Sequence, residues 1–155
     1  MRVLLPLCLA IVTACPARAQ STDDDKPPSR YGVELNLRVY PQGSAKQTLA
    51  SVIEAYEKQR YPYVLAYLAS PSWVDQRVKE VHNGDFDALV RVIGAKFADD
   101  PSVLKEMKRF LKEGEWEGGE TSAAVKLKDV KNRQISFRKI GKLWYMENSL
   151  RAEEK

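Results

Sequence analysis

The sequence predicts an α+β fold, with helices first and an antiparallel sheet last. Apolar residues recur at helical spacing from 44 to 114, and they alternate with polar residues from 121 to 148. Such a change of period within one chain is typical of helices that pack on a meander of antiparallel strands. With 44% hydrophobic and 30% charged residues, the composition is that of an ordinary globular domain.

The chain begins with the pattern of a secretory signal peptide. Met1 and Arg2 give a positive start, residues 3–14 are almost wholly apolar, and an Ala-x-Ala sequence ends at Ala19. The apolar run is shorter than the about 20 residues that span a bilayer as a helix. We therefore predict a signal peptide over residues 1–19, export to the periplasm or the medium, and no transmembrane helix.

Cys15 supports a second interpretation of the same leader. The tetrapeptide Val-Thr-Ala-Cys that ends at Cys15 resembles a bacterial lipobox, in which the cysteine is acylated and anchors the protein to a membrane. The proline at position 16 and the Ala-x-Ala site favour release after Ala19. Both interpretations leave the folded body without cysteine, so its stability must come from a hydrophobic core.

The remaining length predicts one domain between two polar ends. Residues 20–31 are polar and contain prolines, which predicts a flexible linker. Residues 32–150 form the predicted domain, and residues 151–155 a disordered tail. Without the two arginines of the leader, 23 basic residues face 21 acidic ones, so the net charge falls from +4 to +2. This balance argues against a nucleic-acid-binding protein.

A strand is predicted to precede the helices. Residues 33–40 alternate between apolar and polar side chains and end at Pro41, which predicts a half-buried strand. Ser44 then begins the first helix, with Gln47 three residues later as its capping-box partner. The apolar face of this helix consists of Leu49, Val52, Ile53 and Tyr56.

Four more helices are expected before the sheet. A short apolar helix begins near Pro62, and the next ends at the left-handed cap Asn83-Gly84. The last helix follows Pro101 and stops at Gly114. Between them lies the clearest apolar stripe of the sequence, made of Phe86, Leu89, Val90, Ile93 and Phe97.

Three strands are predicted after Gly118-Gly119. The first two lie within 121–128 and 133–140, and the third within 143–148. One face of this meander should cover the helices, and the other should be basic. The basic residues are Lys126, Lys128, Lys131, Arg133, Arg138, Lys139 and Lys142. Such a face either is simply solvated or binds an anionic partner such as lipid head groups or an acidic glycan.

The C-terminal segments resemble the closing strands of the nuclear transport factor 2-like superfamily, the cystatin-like α+β cone. The similarity lies in a strand, a turn, a second strand and a Gly-Lys-Leu-Trp run into the last strand, over residues 121–147. The helix that holds Ala50, Ala55 and Tyr56, followed by residues 61–68, is similar too. The resemblance is closest to exported members, and it implies a curved sheet wrapped on helices, a pocket at the open end and dimerisation through the sheet. It implies no reaction.

Five aromatic residues are candidates for the lining of such a pocket. They are Tyr56, Tyr67, Trp73, Phe137 and Trp144, all of which also suit a hydrophobic core. Ketosteroid isomerase, a relative by fold within this superfamily, uses a carboxylate base with acidic hydroxyl donors. By that analogy Asp75 with Tyr67 is the one catalytic candidate. Asp75 also fits a Ser-x-x-Asp helix start after Ser72, which is the favoured interpretation.

The remaining chemistry-bearing residues predict no metal, cofactor or nucleophile. His82 is the single histidine and lies at a predicted helix end, where the negative end of the helix dipole would stabilise an imidazolium. The acidic run at 23–25 lies in the predicted linker, and Glu120 after the glycine pair would repel phosphate.

These observations predict an exported, non-enzymatic domain. It would bind a small ligand or an envelope protein through the cone pocket or the sheet face. The alternative is a small pocket enzyme of the isomerase or dehydratase type that uses a carboxylate base. The two hypotheses differ in whether Asp75 is buried in a pocket with tyrosines or exposed at a helix start.

Overall fold

The computed structural model describes residues 29–130 and 133–147 and shows the predicted α+β fold. In this part of the chain, five helices precede a four-stranded antiparallel sheet. The helices are α1 (Ala45–Glu57), α2 (Tyr61–Tyr63, continued by the π-helical turn Val64–Leu68), α3 (Pro71–Val81), α4 (Phe86–Asp99) and α5 (Ser102–Glu113). The strands are β1 (Glu115–Gly118), β2 (Ser122–Lys126), β3 (Gln134–Ile140) and β4 (Leu143–Met146).

Several predictions concern residues outside the described ranges. The signal peptide, the candidate lipid anchor Cys15, the acidic run at 23–25 and the tail 151–155 all lie there.

Two helix ends follow the caps that the sequence predicts, at Ser44 and at Asn83-Gly84. The Ser44 hydroxyl accepts a hydrogen bond from the Gln47 amide at 3.2 Å, which begins α1. After α3, Asn83 and Gly84 both adopt positive φ, at 51° and 88°. The Gly84 amide donates back to the Val78 carbonyl at 2.8 Å, so this turn closes the helix as predicted.

The strand predicted over residues 33–40 is wrong. Apart from an isolated bridge between Arg30 and Val33, the segment consists of turns and irregular backbone. Tyrosine hydroxyls, rather than a neighbouring strand, form hydrogen bonds with backbone groups of this segment. The Asn36 amide donates to the Tyr63 hydroxyl at 3.1 Å, and the Tyr67 hydroxyl donates to the Val33 carbonyl at 2.7 Å. The segment alternates between apolar and polar side chains, but it has no partner strand with which to form a sheet.

Strand β1 lies between Gly114 and the glycine pair at 118–119, where the sequence predicted no strand. Its four residues, Glu-Trp-Glu-Gly, are too short for alternation to stand out. The chain enters it at Gly114, where an added Cβ would collide with the Val125 side chain and the Phe110 carbonyl. The close approach of α5 to β2 therefore requires glycine at this corner.

The sheet has the order β1-β2-β3-β4, with antiparallel pairing throughout. Val125 is opposite both Trp116 and Ile135, so these three side chains share the inner face. Helix α1 packs against α5 and β4. Buried Gln42 joins the layers, because its Nε2 donates to the carbonyls of Tyr67 at 2.7 Å and Trp144 at 2.8 Å.

Candidate functional site

A cavity of about 510 Å³ opens between α4 and α5. We call it the α4–α5 cavity. Its walls come from α3, α4, α5, the π-helical turn, and the start of β3 and end of β4. The deep apolar lining consists of buried side chains: Val64, Leu65, Leu89, Met107, Phe110 and Ile135.

The cavity exists because the apolar stripe of α4 does not pack fully on a neighbouring element. Phe86 and Leu89 at its beginning are buried, whereas Ile93 and Phe97 farther along are only half-buried and line the cavity. At the mouth, Val81 and Val92 are 52% and 42% exposed. Apolar surface left in contact with water is a favourable site for an apolar ligand.

An aromatic cluster supports the α1 side of the cavity. The rings of Tyr56 and Phe97 stack with their centroids 3.9 Å apart, and Tyr61 lies against both. Gly94 allows this arrangement, because a Cβ there would lie 3.2 Å from the Tyr61 ring. Burial raises the pKa of Tyr56, so its phenol stays neutral.

The charged groups of the cavity are in ion pairs on one wall and exposed on the other wall. On the side of α5 and the sheet, Arg133 pairs with Glu106 at 2.7 Å, and Glu147 pairs with Arg138 at 2.7 Å.

On the side of α3 and α4, two cations at the mouth are exposed, Arg77 and Lys96. Among the residues that the structure describes, no carboxylate lies within ion-pair distance of either. The guanidinium of Arg77 lies over the Trp73 ring, 5.7 Å from its centroid.

The five aromatic residues predicted to line a pocket separate into two groups. Tyr56 and Trp73 line the α4–α5 cavity. Tyr67, Phe137 and Trp144 are instead buried in the core and are not part of its lining. Phe137 packs on Trp116 within the sheet, with ring centroids 5.8 Å apart. For Phe137 and Trp144, alternation identifies the face of the strand that points inward. It does not give the distance of each residue from the end of the sheet where the cavity opens.

Sequence reasoning missed most of the cavity residues. The apolar stripe of α4 indicated core, and Ile93 and Phe97 were assigned to it. A stripe is recognised by its spacing alone, and spacing does not show whether another element covers it. Arg77 and Lys96 carried no signal, since an exposed cation on a helix is ordinary.

Asp75 lies outside the cavity lining and does not begin a helix. Helix α3 starts at Pro71 after Ser70, so the predicted Ser-x-x-Asp start after Ser72 is wrong. Proline is favoured at the first helical position, and this moves the start one residue ahead of Ser72. The Asp75 carboxylate is 53% exposed and accepts hydrogen bonds from the Arg30 guanidinium and the Tyr31 hydroxyl, both at 2.6 Å.

Tyr67, the other catalytic candidate, is held by the backbone of the segment before α1. Its hydroxyl accepts from the Arg30 amide at 3.0 Å and donates to the Val33 carbonyl at 2.7 Å. Arg30 and Tyr31 fall at the end of the predicted linker, yet they contact the helices: the Tyr31 ring stacks on Phe86 at 4.2 Å.

His82 forms the C-cap of α3 and lines the mouth of the cavity. Within the described ranges it has no hydrogen-bonded carboxylate or hydroxyl partner. The structure therefore places it where a helix cap belongs, without the paired groups of a catalytic triad.

Carboxylates pair with four of the six described cations of the predicted basic face. The missed strand β1 carries Glu115 and Glu117 beside β2, because its alternation places both on the outer face. The resulting pairs are Lys126–Glu117 at 2.8 Å and Lys128–Glu115 at 2.9 Å, alongside Arg133–Glu106 and Arg138–Glu147. Lys131, another predicted member, lies outside the described residues. Within the described ranges, Lys139 and Lys142 are in no ion pair, so they are the unpaired cations that the sheet offers to an anionic partner.

The described residues contain neither a metal-binding cluster nor a helix that could cross a membrane. No group of three or more His, Cys, Asp or Glu side chains is arranged to hold a metal ion in residues 29–130 and 133–147. Over the same ranges, none of the helices combines the length and apolar character needed to cross a bilayer.

No protein-family model, curated protein or solved structure matches this chain. The resemblance to the nuclear transport factor 2-like superfamily therefore stays a prediction, and function has to be argued from the geometry of the cavity.

Proposed function

We propose that this protein is a non-catalytic binding domain that holds an apolar ligand in the α4–α5 cavity. The observation that carries the proposal is the half-buried stripe of α4, which faces about 510 Å³ of open space. Small-molecule sites are concave, mostly apolar and about 300–1,000 Å³ in volume. A ligand that covers Ile93 and Phe97 would remove from water the apolar surface that the fold leaves uncovered.

The groups that line the cavity favour binding over catalysis. Both lining carboxylates are in ion pairs with arginines: Arg133 contacts both oxygens of Glu106, and Arg138 contacts Oε1 of Glu147. Tyr56 is kept neutral by burial. A general base needs a free acceptor within reach of its substrate, and both oxygens of Glu106 are already bound to Arg133.

The alternative of an isomerase or dehydratase has less support. Asp75 and Tyr67 lie outside the cavity lining, and both are engaged with the segment before α1. Their geometry suits attachment of that segment to the helices. The predicted signal peptide would place the binding domain outside the cytoplasm, and dimerisation through the sheet stays a prediction.

Blocking the mouth tests the proposal. Val92 and Val39 are similarly exposed, at 42% and 40%, but only Val92 lines the cavity. We expect Val92→Trp to weaken binding of the neutral fluorophore N-phenyl-1-naphthylamine at least tenfold, because the indole fills the entrance. Val39→Trp should bind like the wild type. Fluorescence titration measures binding, and urea denaturation shows that both variants fold.

Two outcomes would contradict this proposal. One is binding by Val92→Trp that equals the wild type. The other is an equal loss in both tryptophan variants, since it would place the probe somewhere other than the α4–α5 cavity.

A further inference from the structure

We infer that the ligand of the α4–α5 cavity is a single-chain amphiphile with an anionic head, of the long-chain carboxylate class, whose head binds at Arg77 and Lys96. This inference rests on the proposed function and adds the chemistry of the ligand to it. It follows from the order of side chains between the floor and the mouth of the cavity.

The floor and the mouth differ in polarity. Buried aliphatic and aromatic side chains such as Leu65, Met107 and Phe110 form the floor. Exposed Arg77 and Lys96 stand among the lining residues of the mouth. A molecule that matches this gradient has an apolar chain that enters the floor and an anionic head that stays at the water-facing edge.

Ion pairing leaves the two cations available. The other charged residues of the lining, Glu106, Arg133 and Glu147, are all in ion pairs at 2.7 Å. In the part of the chain described here, no protein carboxylate neutralises Arg77 or Lys96. The unpaired charge at the mouth is therefore positive, and it would attract an anion and exclude a cation.

Arg77 is held in a manner that suits a carboxylate. Its guanidinium lies over the ring of Trp73, which itself lines the cavity. A guanidinium that lies over an aromatic ring can still donate its N–H groups in a bidentate hydrogen bond to a carboxylate. Lys96 of α4 also lines the cavity and adds a second positive charge to the same wall.

The inference predicts selectivity in both head and chain. Dodecanoate should displace N-phenyl-1-naphthylamine from the wild type at least tenfold more effectively than dodecanol, which has the same chain and no charge. Lengthening the carboxylate should tighten binding about fourfold for each methylene until the cavity is filled. Added salt should weaken the carboxylate and leave the alcohol unchanged.

The decisive experiment compares two double variants of equal charge. Arg77→Gln with Lys96→Gln removes one Arg from α3 and one Lys from α4 at the cavity. Lys79→Gln with Arg91→Gln removes one Lys from α3 and one Arg from α4 at exposed positions outside the lining. We expect the first pair to reduce the preference for dodecanoate to below threefold while dodecanol binds as before. The second pair should keep the tenfold preference.

The outcomes separate the inference from the proposed function. If dodecanol equals dodecanoate in the wild type, or if the preference survives in Arg77→Gln with Lys96→Gln, the head-group assignment is overturned while the binding cavity stands. If neither compound displaces a probe whose binding Val92→Trp abolishes, the inference fails while the binding cavity stands. Binding to phosphatidylglycerol vesicles without binding of monomeric dodecanoate would also overturn the inference, because it would indicate a membrane surface as the source of the anion.

Discussion

Arg30 and Tyr31 attach the segment before α1 to α3 through a single carboxylate. Both donate to Asp75 at 2.6 Å, and Tyr31 also stacks on Phe86. Burial, and next the hydrogen bond to Asp75, raise the pKa of Tyr31 to about 12. Because the folded state holds this proton more tightly than the unfolded chain, the contribution to stability is complete below pH 10.0. It is lost as the pH rises through about 12.

Asp75→Asn should loosen this attachment without affecting the cavity. We expect Tyr31 to titrate at a lower pH, since the acceptor carboxylate is gone, and the free energy of unfolding to fall by less than about 1 kcal/mol, as for other exposed pairs. Tyrosinate absorbance in an alkaline titration measures the first effect, with Tyr31→Phe to identify the contribution of Tyr31. An unchanged titration of Tyr31 would contradict the role given to the carboxylate.

The same variant distinguishes the two functional hypotheses. Because Asp75 does not line the α4–α5 cavity, displacement of the fluorophore by dodecanoate should equal that of the wild type. A loss of binding in a folded Asp75→Asn protein would favour the carboxylate-base enzyme instead.

At the scale of elements, the helices are defined mainly by local signals. The Ser44 hydroxyl caps α1, and the Asp85 carboxylate caps α4 by accepting from the Ala88 amide at 2.8 Å. That hydrogen bond lowers the pKa of Asp85, as expected for a carboxylate that faces the positive end of a helix. Strands behave differently, since the alternating segment 33–40 formed none and the short segment at β1 formed one.

Ser44 allows the capping contribution to be measured. Ser44→Ala should lower the free energy of unfolding by about 1 kcal/mol, because the Gln47 amide loses its acceptor. Ser44→Gly should cost only a few tenths of that amount, since glycine is tolerated at this position. Urea denaturation gives both values. A larger loss for glycine than for alanine would show that backbone freedom, rather than the hydroxyl, matters here.

At the scale of the whole molecule, the joint between the helical layer and the sheet is sterically tight. Gly114 links α5 to β1 where a Cβ would collide with the side chain of Val125 and the backbone of Phe110. Gly119, five residues later, has nothing within 4 Å of an added Cβ. The two glycines thus form a matched pair, one in a crowded corner and one in open space.

Gly114→Ala should destabilise the protein by about 1–3 kcal/mol, because the corner must open to admit the methyl group. Gly119→Ala should be neutral or slightly stabilising, since it restricts the unfolded chain without a clash. Denaturation curves of the two variants provide the comparison. Equal stabilities would mean that α5 and β2 separate easily, in conflict with a single packed core.

Local features of the sequence determined the helices, the caps at Ser44 and Asn83-Gly84 and the turn between the last two strands, because these depend on residues only a few positions apart. The α+β class followed from the order of those elements. Long-range packing decided the rest. It left residues 33–40 without a partner strand, it added Glu115–Gly118 to the sheet, and it paired four cations of the predicted basic face with carboxylates.

Long-range packing also decided the cavity. Spacing alone identifies the apolar stripe of α4 as one face of the helix. Only the tertiary arrangement leaves Ile93 and Phe97 half-buried beside α5. Periodicity shows which side chains share a face of an element. Whether that face meets another element or an open space depends on distances between segments remote in sequence, which only the folded chain sets.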